Sequence, residues 1–287
     1  MLLLPNIDPL VDPHEAVEAI RRAYFAEAQF LPRQALTIGE TWFASMVGHM
    51  AGAGIAVKLV GIYPKATPRV KAVVVVFDPE RGTPLALING TQLTGWRTAA
   101  ASAVAAKALG ADPREVGIVG AGLQAEYHLR VFKALFPNAR FKVFDVAEER
   151  ARDLARRYGA TVAAIGEVLQ SDLIISATTS RTPVVKGVKD GAVVLSIGAP
   201  RPVRELDDEV LHRAGCMLVD NPHAPEETDD VAQNWVYIGD FLKGAPCQFG
   251  KVKVYKSVGN PLFDVAMAHY VLQKAKTTGM GVEVLWD

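Results

Sequence analysis

Two groups of residues in this sequence have the types and spacing to do chemistry. The first is the run Val116-Gly117-Ile118-Val119-Gly120-Ala121-Gly122-Leu123-Gln124-Ala125. It reads as an apolar strand, a glycine turn and the start of a helix. In the pattern Gly-x-Gly-x-x-Ala, Gly120 makes the tight turn, Gly122 lets the backbone approach a pyrophosphate, and Ala125 permits close packing of helix on strand. The free N–H groups at the helix start, those of Leu123 and Gln124 among them, favour phosphate. Asp145 closes the next apolar run twenty-five residues after Gly120, near the spacing expected of an acid that binds ribose hydroxyls. Its charge would repel a 2′-phosphate, which favours NAD over NADP, while Arg150 and Arg152 close by leave NADP open. Asp145 also has a purely structural reading, as the cap of the helix that follows it. Two further strand ends, Ser176-Ala177-Thr178-Thr179 and Ser196-Ile197-Gly198-Ala199, carry small and hydroxyl-bearing residues where such sheets bind ligands. They are read either as room for a nicotinamide ribose or as tight turns.

The second group is three cations, Arg33, Lys58 and Arg97. Lys58 interrupts the apolar run Ile55-Ala56-Val57-Lys58-Leu59-Val60. Lysine is rarely buried without a partner; facing a cleft, its pKa falls and it suits a proton donor, whereas at a strand edge it simply meets water. Arg97 follows Trp96 early in an alanine-rich helix, where it either forks onto a carboxylate with two parallel bonds or lies on the surface. Arg33 follows Pro32 in a loop and is the weaker candidate taken alone. A dinucleotide turn together with cations for a carboxylate points to hydride transfer on a substrate that carries a carboxylate.

Other chemistries lack their residues. The six histidines form neither His-x-x-x-His nor His-Glu-x-x-His, so no metal is expected, and there is no Walker lysine or Gly-x-Ser-x-Gly elbow. His128 lies on the first helix after the glycine turn and is expected to pack or to face solvent. Residues 223–230 are acidic and read as a solvated loop. Cys216 and Cys247 form no Cys-x-x-Cys and read as small buried hydrophobes.

These groups need elements to position them. Residues 12–15, Asp12-Pro13-His14-Glu15, start a helix that ends before Pro32. Residues 54–62, 70–77 and 84–88 read as strands, and 92–109 as the alanine-rich helix, broken by Gly110-Ala111-Asp112-Pro113. From Glu115 the pattern changes to short apolar runs at 116–119, 141–144, 161–165, 173–177, 193–197 and 217–219, with helical segments such as 147–158 and 207–213 between them. That alternation predicts a parallel sheet covered on both faces. Asn260-Pro261 opens a last helix. The expected fold is α/β: a Rossmann doubly wound parallel sheet over residues 112–255, plus a discontinuous α+β substrate and dimerisation domain over 1–111 and 256–287.

The 287 residues, half of them hydrophobic, are enough for a sizeable core. Lys plus Arg and Asp plus Glu are both 31, so no global field attracts nucleic acid or an anionic membrane. No apolar stretch approaches a membrane span, and the N-terminus lacks a basic region ahead of its short apolar run. A cytoplasmic protein is expected, with neither nucleic acid nor membrane as partner.

Four ordered motifs carry a resemblance over most of the chain. They are Ile88-Asn89-Gly90-Thr91-Gln92-Leu93-Thr94-Gly95-Trp96-Arg97-Thr98-Ala99-Ala100-Ala101-Ser102; the glycine turn from Gly120 to Ala125; Gly198-Ala199-Pro200-Arg201-Pro202 with Arg204-Glu205-Leu206-Asp207; and Ser257-Val258-Gly259 followed by Asp264. In these the sequence resembles the ornithine cyclodeaminase/mu-crystallin family, which includes alanine dehydrogenases and reductases of cyclic imino acids. The resemblance implies a homodimer of two-domain subunits and an NAD(P)-dependent oxidoreductase that transfers hydride to or from a small amino acid or imino acid. The substrate's carboxylate and amine contacts would fall to Arg33, Lys58 and Arg97, and Ser257 and Val258 would lie near the nicotinamide.

The sequence also departs from the family pattern. Where cyclodeaminases carry an Asp after the strand ending at Gly198, this chain has Ala199-Pro200, which exchange no proton. Residues 42–46 hold no cation, and the region 220–250 is short for the family. An ornithine cyclodeaminase that recycles NAD and a non-catalytic dinucleotide-binding protein therefore remain as rivals to the oxidoreductase.

Overall fold

The computed structural model describes residues 1–198 and 200–286. In chain order the elements begin with β1 (Leu2–Leu4), α1 (Pro13–Ala23), β2 (Ala28–Phe30), β3 (Gln34–Ile38), β4 (Thr41–Met50), β5 (Gly54–Ile62), β6 (Val70–Phe77), β7 (Pro84–Asn89) and α2 (Gly90–Ala108). Alternation then sets in with β8 (Glu115–Val119), α3 (Leu123–Leu135), β9 (Arg140–Phe144), α4 (Glu148–Tyr158), β10 (Thr161–Val162), α5 (Ile165–Val168) and β11 (Leu173–Ser176). It continues through β12 (Val193–Ser196), α6 (Asp208–Ala214), β13 (Cys216–Val219), α7 (Ala224–Glu227), β14 (Asn234–Tyr237), α8 (Ile238–Phe241) and β15 (Lys253–Lys256). The chain closes with α9 (Pro261–Thr278) and β16 (Val282–Glu283).

Two compact units form: Met1–Ala100 with Asn260–Asp287, and Ala101–Gly259. The expected division at 111/112 and 255/256 moves to 100/101 and 259/260. The first shift arises because α2 runs unbroken past Ala100 to Ala108, so the glycine–proline punctuation at 110–113 marks the helix end and not the boundary.

In the first unit the sheet runs β16-β1-β7-β6-β5-β4-β2, with β3 paired to β4. It is antiparallel except for β1 beside β7. Along β5 the residues Gly54, Ala56, Lys58 and Val60 are buried in alternation, as period two demands of one face. Helix α9 packs on β4 and β5. Its start is fixed by Asn260, whose side-chain oxygen accepts the Leu262 N–H at 2.9 Å, and by Pro261 in the first turn. Helix α1 packs against α9, and Asp12 caps it by accepting the N–H groups of His14 and Glu15. Five strands escaped the sequence reading here: β1, β2, β3, β4 and β16.

The second unit is a parallel sheet of order β10-β9-β8-β11-β12-β15-β13-β14 among the described residues. Sequence order reverses at the junction of β8 and β11, the topological switch point where such sheets bind ligands. Every residue of β11, β12 and β13 is buried, which is why these strands read as continuous apolar runs rather than alternating ones. This is the Rossmann doubly wound class; the first unit is discontinuous in sequence and α+β. The run 161–165 supplies only two strand residues, because Ala164 already caps α5.

Two expectations are corrected. Cys216 and Cys247 are not free hydrophobes; they form a disulfide between the start of β13 and the loop after α8. Residues 223–230 are not all solvated: Asp230 is fully buried and Thr228 nearly so, because Asp230 accepts the backbone N–H groups of Glu205 and Leu206. No helix among the described residues is long and apolar enough to cross a membrane.

Candidate functional site

In the first unit the face of β5 that lies under α9 carries Lys58. Its register neighbours are Met46 on β4 and Val74 on β6, both buried. A lysine in that position has no water to meet, and its own exposure is 1 %. Asp264, in the first turns of α9, supplies the counter-charge. Lys58 Nζ donates to Oδ1 at 2.9 Å and stands 2.8 Å from Oδ2. Arg97 Nε lies 3.1 Å from the same Oδ1, an ion pair off hydrogen-bond alignment. The two outer nitrogens of Arg97 form no hydrogen bond among the described residues, although the side chain is only 7 % exposed. Arg33 is half-buried, with its guanidinium 5.7 Å from the centre of the Trp42 ring. Burial pushes the Lys58 ammonium down to about 7, and the charges of Arg97 and Arg33 add to that push against the pull of Asp264. The structure thus sets Lys58 and Arg97 on one buried carboxylate, with Arg33 near enough for its charge to act on Lys58.

The second unit holds the glycine turn. Gly120 has φ +100°, and a Cβ there would sit 2.5 Å from the Ala177 carbonyl oxygen, so only glycine fits. Helix α3 starts at Leu123 with Gly122 at its cap and no side chain satisfying its first N–H groups. A Cβ on Gly122 would meet nothing within 4 Å, which leaves the approach to those donors open. Gln124 Oε1 is buried without a hydrogen-bond partner, and Ala125 is fully buried. An uncapped helix start with an open glycine cap and an orphaned polar atom beside it fits a pyrophosphate.

Asp145 stands at the end of β9. Its Oδ2 accepts the Ala121 N–H at 2.7 Å and its Oδ1 accepts the Ala147 N–H at 2.8 Å. It therefore clasps the glycine turn itself and is not the cap of α4, which is Ala147. Arg152 is engaged by Glu148 at 2.6 Å.

Thr178 is half-buried and Thr179 exposed. Gly198 is buried and Ala199 lies outside the described residues. Ser257 donates its hydroxyl to Asp220 Oδ2 at 2.7 Å, and the Val258 N–H donates to Asp220 Oδ1 at 2.9 Å. His128 is buried between the Gln124 carbonyl and the Ser102 hydroxyl; burial lowers its pKa to about 4, so it is neutral at physiological pH. Among the described residues, no group of three His, Cys, Asp or Glu side chains could hold a metal ion.

The sequence reading gave no role to Asp264, Asp220, Glu205, Asp230 or Lys256. A signal for the first existed: an acid beside Phe263, Val265 and Ala266 in an apolar helix is a charge in need of a partner.

Comparison with known proteins matches residues 10–279 to the ornithine cyclodeaminase/mu-crystallin family. Ketimine reductase mu-crystallin of Mus musculus is 33% identical over 234 residues, covering 76% of this chain and 75% of its own. A Thermococcus litoralis Delta(1)-pyrroline-2-carboxylate reductase, solved with NADH and L-proline, superposes with a TM-score of 0.89 at 28% identity, covering 99% of this chain and 100% of its own. An archaeal alanine dehydrogenase dimer with bound NAD gives a TM-score of 0.90 at 27% identity, over 100% and 99% of the two chains.

Proposed function

Because this chain belongs to the ornithine cyclodeaminase/mu-crystallin family, we propose that it is an NAD-dependent oxidoreductase acting on a small amino acid or imino acid. The observation that carries this reading is the buried pair Lys58 and Arg97 on Asp264, with the charge of Arg33 acting on Lys58. A buried arginine with its outer nitrogens unengaged is a carboxylate fork held ready. Arg97 and Arg33 hold the substrate carboxylate. Lys58, poised near neutral pH, steadies the substrate nitrogen and passes its proton.

The second unit binds NAD. Gly120, Gly122, Leu123 and Gln124 present backbone N–H groups to the pyrophosphate, and Asp145 keeps lone pairs for the ribose hydroxyls. Thr178, Thr179, Gly198, Ala199, Ser257 and Val258 border the nicotinamide end. The bound cofactor supplies hydride chemistry; the protein supplies orientation and charge. The engagement of Arg152 by Glu148 supports NAD over NADP. The subunit is proposed to form a homodimer through its first unit, where Phe25, Leu31, Leu36 and Ile38 are exposed.

The test is oxidation of NADH and NADPH by purified protein on pyruvate with ammonia, pyrroline-2-carboxylate and piperideine-2-carboxylate, with ornithine conversion to proline run in parallel. Cofactor oxidation on an imino acid is the expected result. Proline and ammonia from ornithine with no net change in cofactor would replace this reading with a cyclodeaminase, and silence on every substrate would replace it with a binding protein.

A further inference from the structure

The C-terminal ends of β11, β12 and β15 are tied by one fully buried carboxylate that lies outside the glycine turn. Glu205 Oε1 accepts the Ser176 hydroxyl at 2.8 Å, the Thr178 N–H at 2.7 Å and the Thr178 hydroxyl at 2.9 Å. Its Oε2 accepts the Ser196 hydroxyl at 2.8 Å, the Ile197 N–H at 3.1 Å and the Gly198 N–H at 2.7 Å. Six donors from two adjacent strand ends thus converge on one side chain. The third strand end joins through Lys256, which donates to Ser196 Oγ at 2.8 Å, the Gly198 carbonyl at 2.5 Å and Asp230 Oδ2 at 3.0 Å. Asp230 Oδ2 also takes the backbone N–H of Glu205 at 2.8 Å. Glu205, Asp230 and Lys256 are all fully buried. The fit leaves no slack: a Cβ on Gly198 would lie 2.7 Å from Glu205 Cδ.

The residues so fixed, Thr178 after β11 and Gly198 after β12, border the nicotinamide end, and Ser257, next to Lys256 after β15, donates its N–H to the Ser196 carbonyl at 2.9 Å. The adenosine end depends on another contact, that of Asp145 at the end of β9, which accepts the Ala121 N–H. We propose that Glu205, anchored by Asp230 and Lys256, is a positioning residue that sets the nicotinamide half of the dinucleotide site without touching the cofactor. The proposal rests on the reading of the second unit as the NAD site.

A buried network of this kind is all-or-none. The N–H groups of Thr178, Ile197 and Gly198 point inward and have no water to replace a lost acceptor. Glu205→Gln keeps the shape but turns one oxygen into an NH2 that faces donors. The strand ends must then separate to relieve it. A merely structural residue would, when altered, weaken every ligand of the unit alike. A positioning residue for one end weakens only ligands that reach that end.

The experiment measures binding of NADH and of ADP-ribose, which lacks the nicotinamide, to wild type, Glu205→Gln and Ser196→Ala, with the fold checked by circular dichroism. Losing one hydrogen bond to a charged acceptor at the nicotinamide end should weaken NADH about tenfold or more in Glu205→Gln. ADP-ribose should change by less than about twofold, and the enhancement of NADH fluorescence on binding should fall. Ser196→Ala removes one donor to Glu205 and one acceptor for Lys256, and should show the same split more weakly. Equal weakening of both ligands, no weakening of either, or unfolding of both variants would overturn the positioning role. If wild type binds neither ligand, the NAD reading itself fails, and the positioning role with it.

Discussion

Asp264→Asn tests the electrostatics of the cation cluster most directly. The change keeps the side chain's volume and removes the carboxylate that faces both Lys58 and Arg97. Lys58 Nζ stands 2.8 Å from Oδ2. At an effective dielectric of about 20, two unit charges roughly 3 Å apart attract by on the order of 5 kcal/mol. Relaxation and rehydration remove much of that, but about 1.4 kcal/mol suffices to move a titration midpoint by one pH unit. Lys58 already titrates near 7 with Asp264 in place, so the variant carries a neutral amine at neutral pH. Imine reduction uses the protonated form, and kcat/KM therefore falls as pH rises through the Lys58 midpoint. In wild type the fall is centred near 7; in Asp264→Asn it is centred at least about one pH unit lower. Above pH 7 the variant therefore loses about tenfold beyond any pH-independent loss. The assay is NADH oxidation on a cyclic imino acid across pH 5–9, with the fold checked at each end. A midpoint that stays put or moves upward refutes the argument, as does a uniform loss at every pH, which would mark Asp264 as a packing residue.

Three further outcomes are expected. Arg97→Ala should lower kcat/KM about 10²- to 10³-fold, the effect of truncating one partner of a buried charged pair; unchanged kinetics would remove Arg97 from the site. Asp145→Ser should lower the NAD-to-NADP preference by about tenfold or more, since a charge that repels a 2′-phosphate is lost; an unaltered ratio of kcat/KM values for the two cofactors would sink the cofactor argument. His128 titrates near 4 in the folded protein and near 6.5 when unfolded. Its neutral burial thus contributes stability that is intact above pH 6.5 and is lost as pH falls toward 4, in all about 3 kcal/mol. His128→Gln should flatten the decline of Tm over that window, and an identical decline in variant and wild type would show that other groups cause it.

The parallel sheet was legible because its central strands are buried on both faces, and such strands announce themselves as unbroken apolar runs. The start of α9 was legible because Asn260 and Pro261 are local signals of a helix start. Strand β3 was not, since all its residues are exposed and no burial rhythm shows in its sequence. The disulfide was not legible either. Cys216 and Cys247 are thirty-one residues apart, and two cysteines at that spacing carry no mark of pairing. Lys58 was found because a charge inside an apolar run is conspicuous. Which of its two readings holds depended on whether a helix covers that face of β5, a tertiary fact. The partners of the functional groups were the hardest to see. Asp264 is two hundred and six residues from Lys58, and Asp230 sits in an acidic stretch whose composition alone suggests solvent.

The two buried charge clusters differ in a way that separates function from scaffold. In the second unit, Glu205, Asp230 and Lys256 spend their hydrogen-bonding capacity on one another and on strand ends, and the network closes on itself. A closed network of this kind holds geometry and has nothing left for a ligand. In the first unit, one carboxylate faces Lys58 and Arg97, with Arg33 adding its field, and the outer edge of Arg97 is unspent. Holding like charges together in the interior is unfavourable by several kcal/mol unless an anion completes them. A cluster built one negative charge short is destabilised when empty and relieved by a bound carboxylate. On the proposed function, a bound substrate carboxylate would relieve that repulsion, and the burial and neighbouring positive charge that keep Lys58 near its midpoint would favour an anionic substrate.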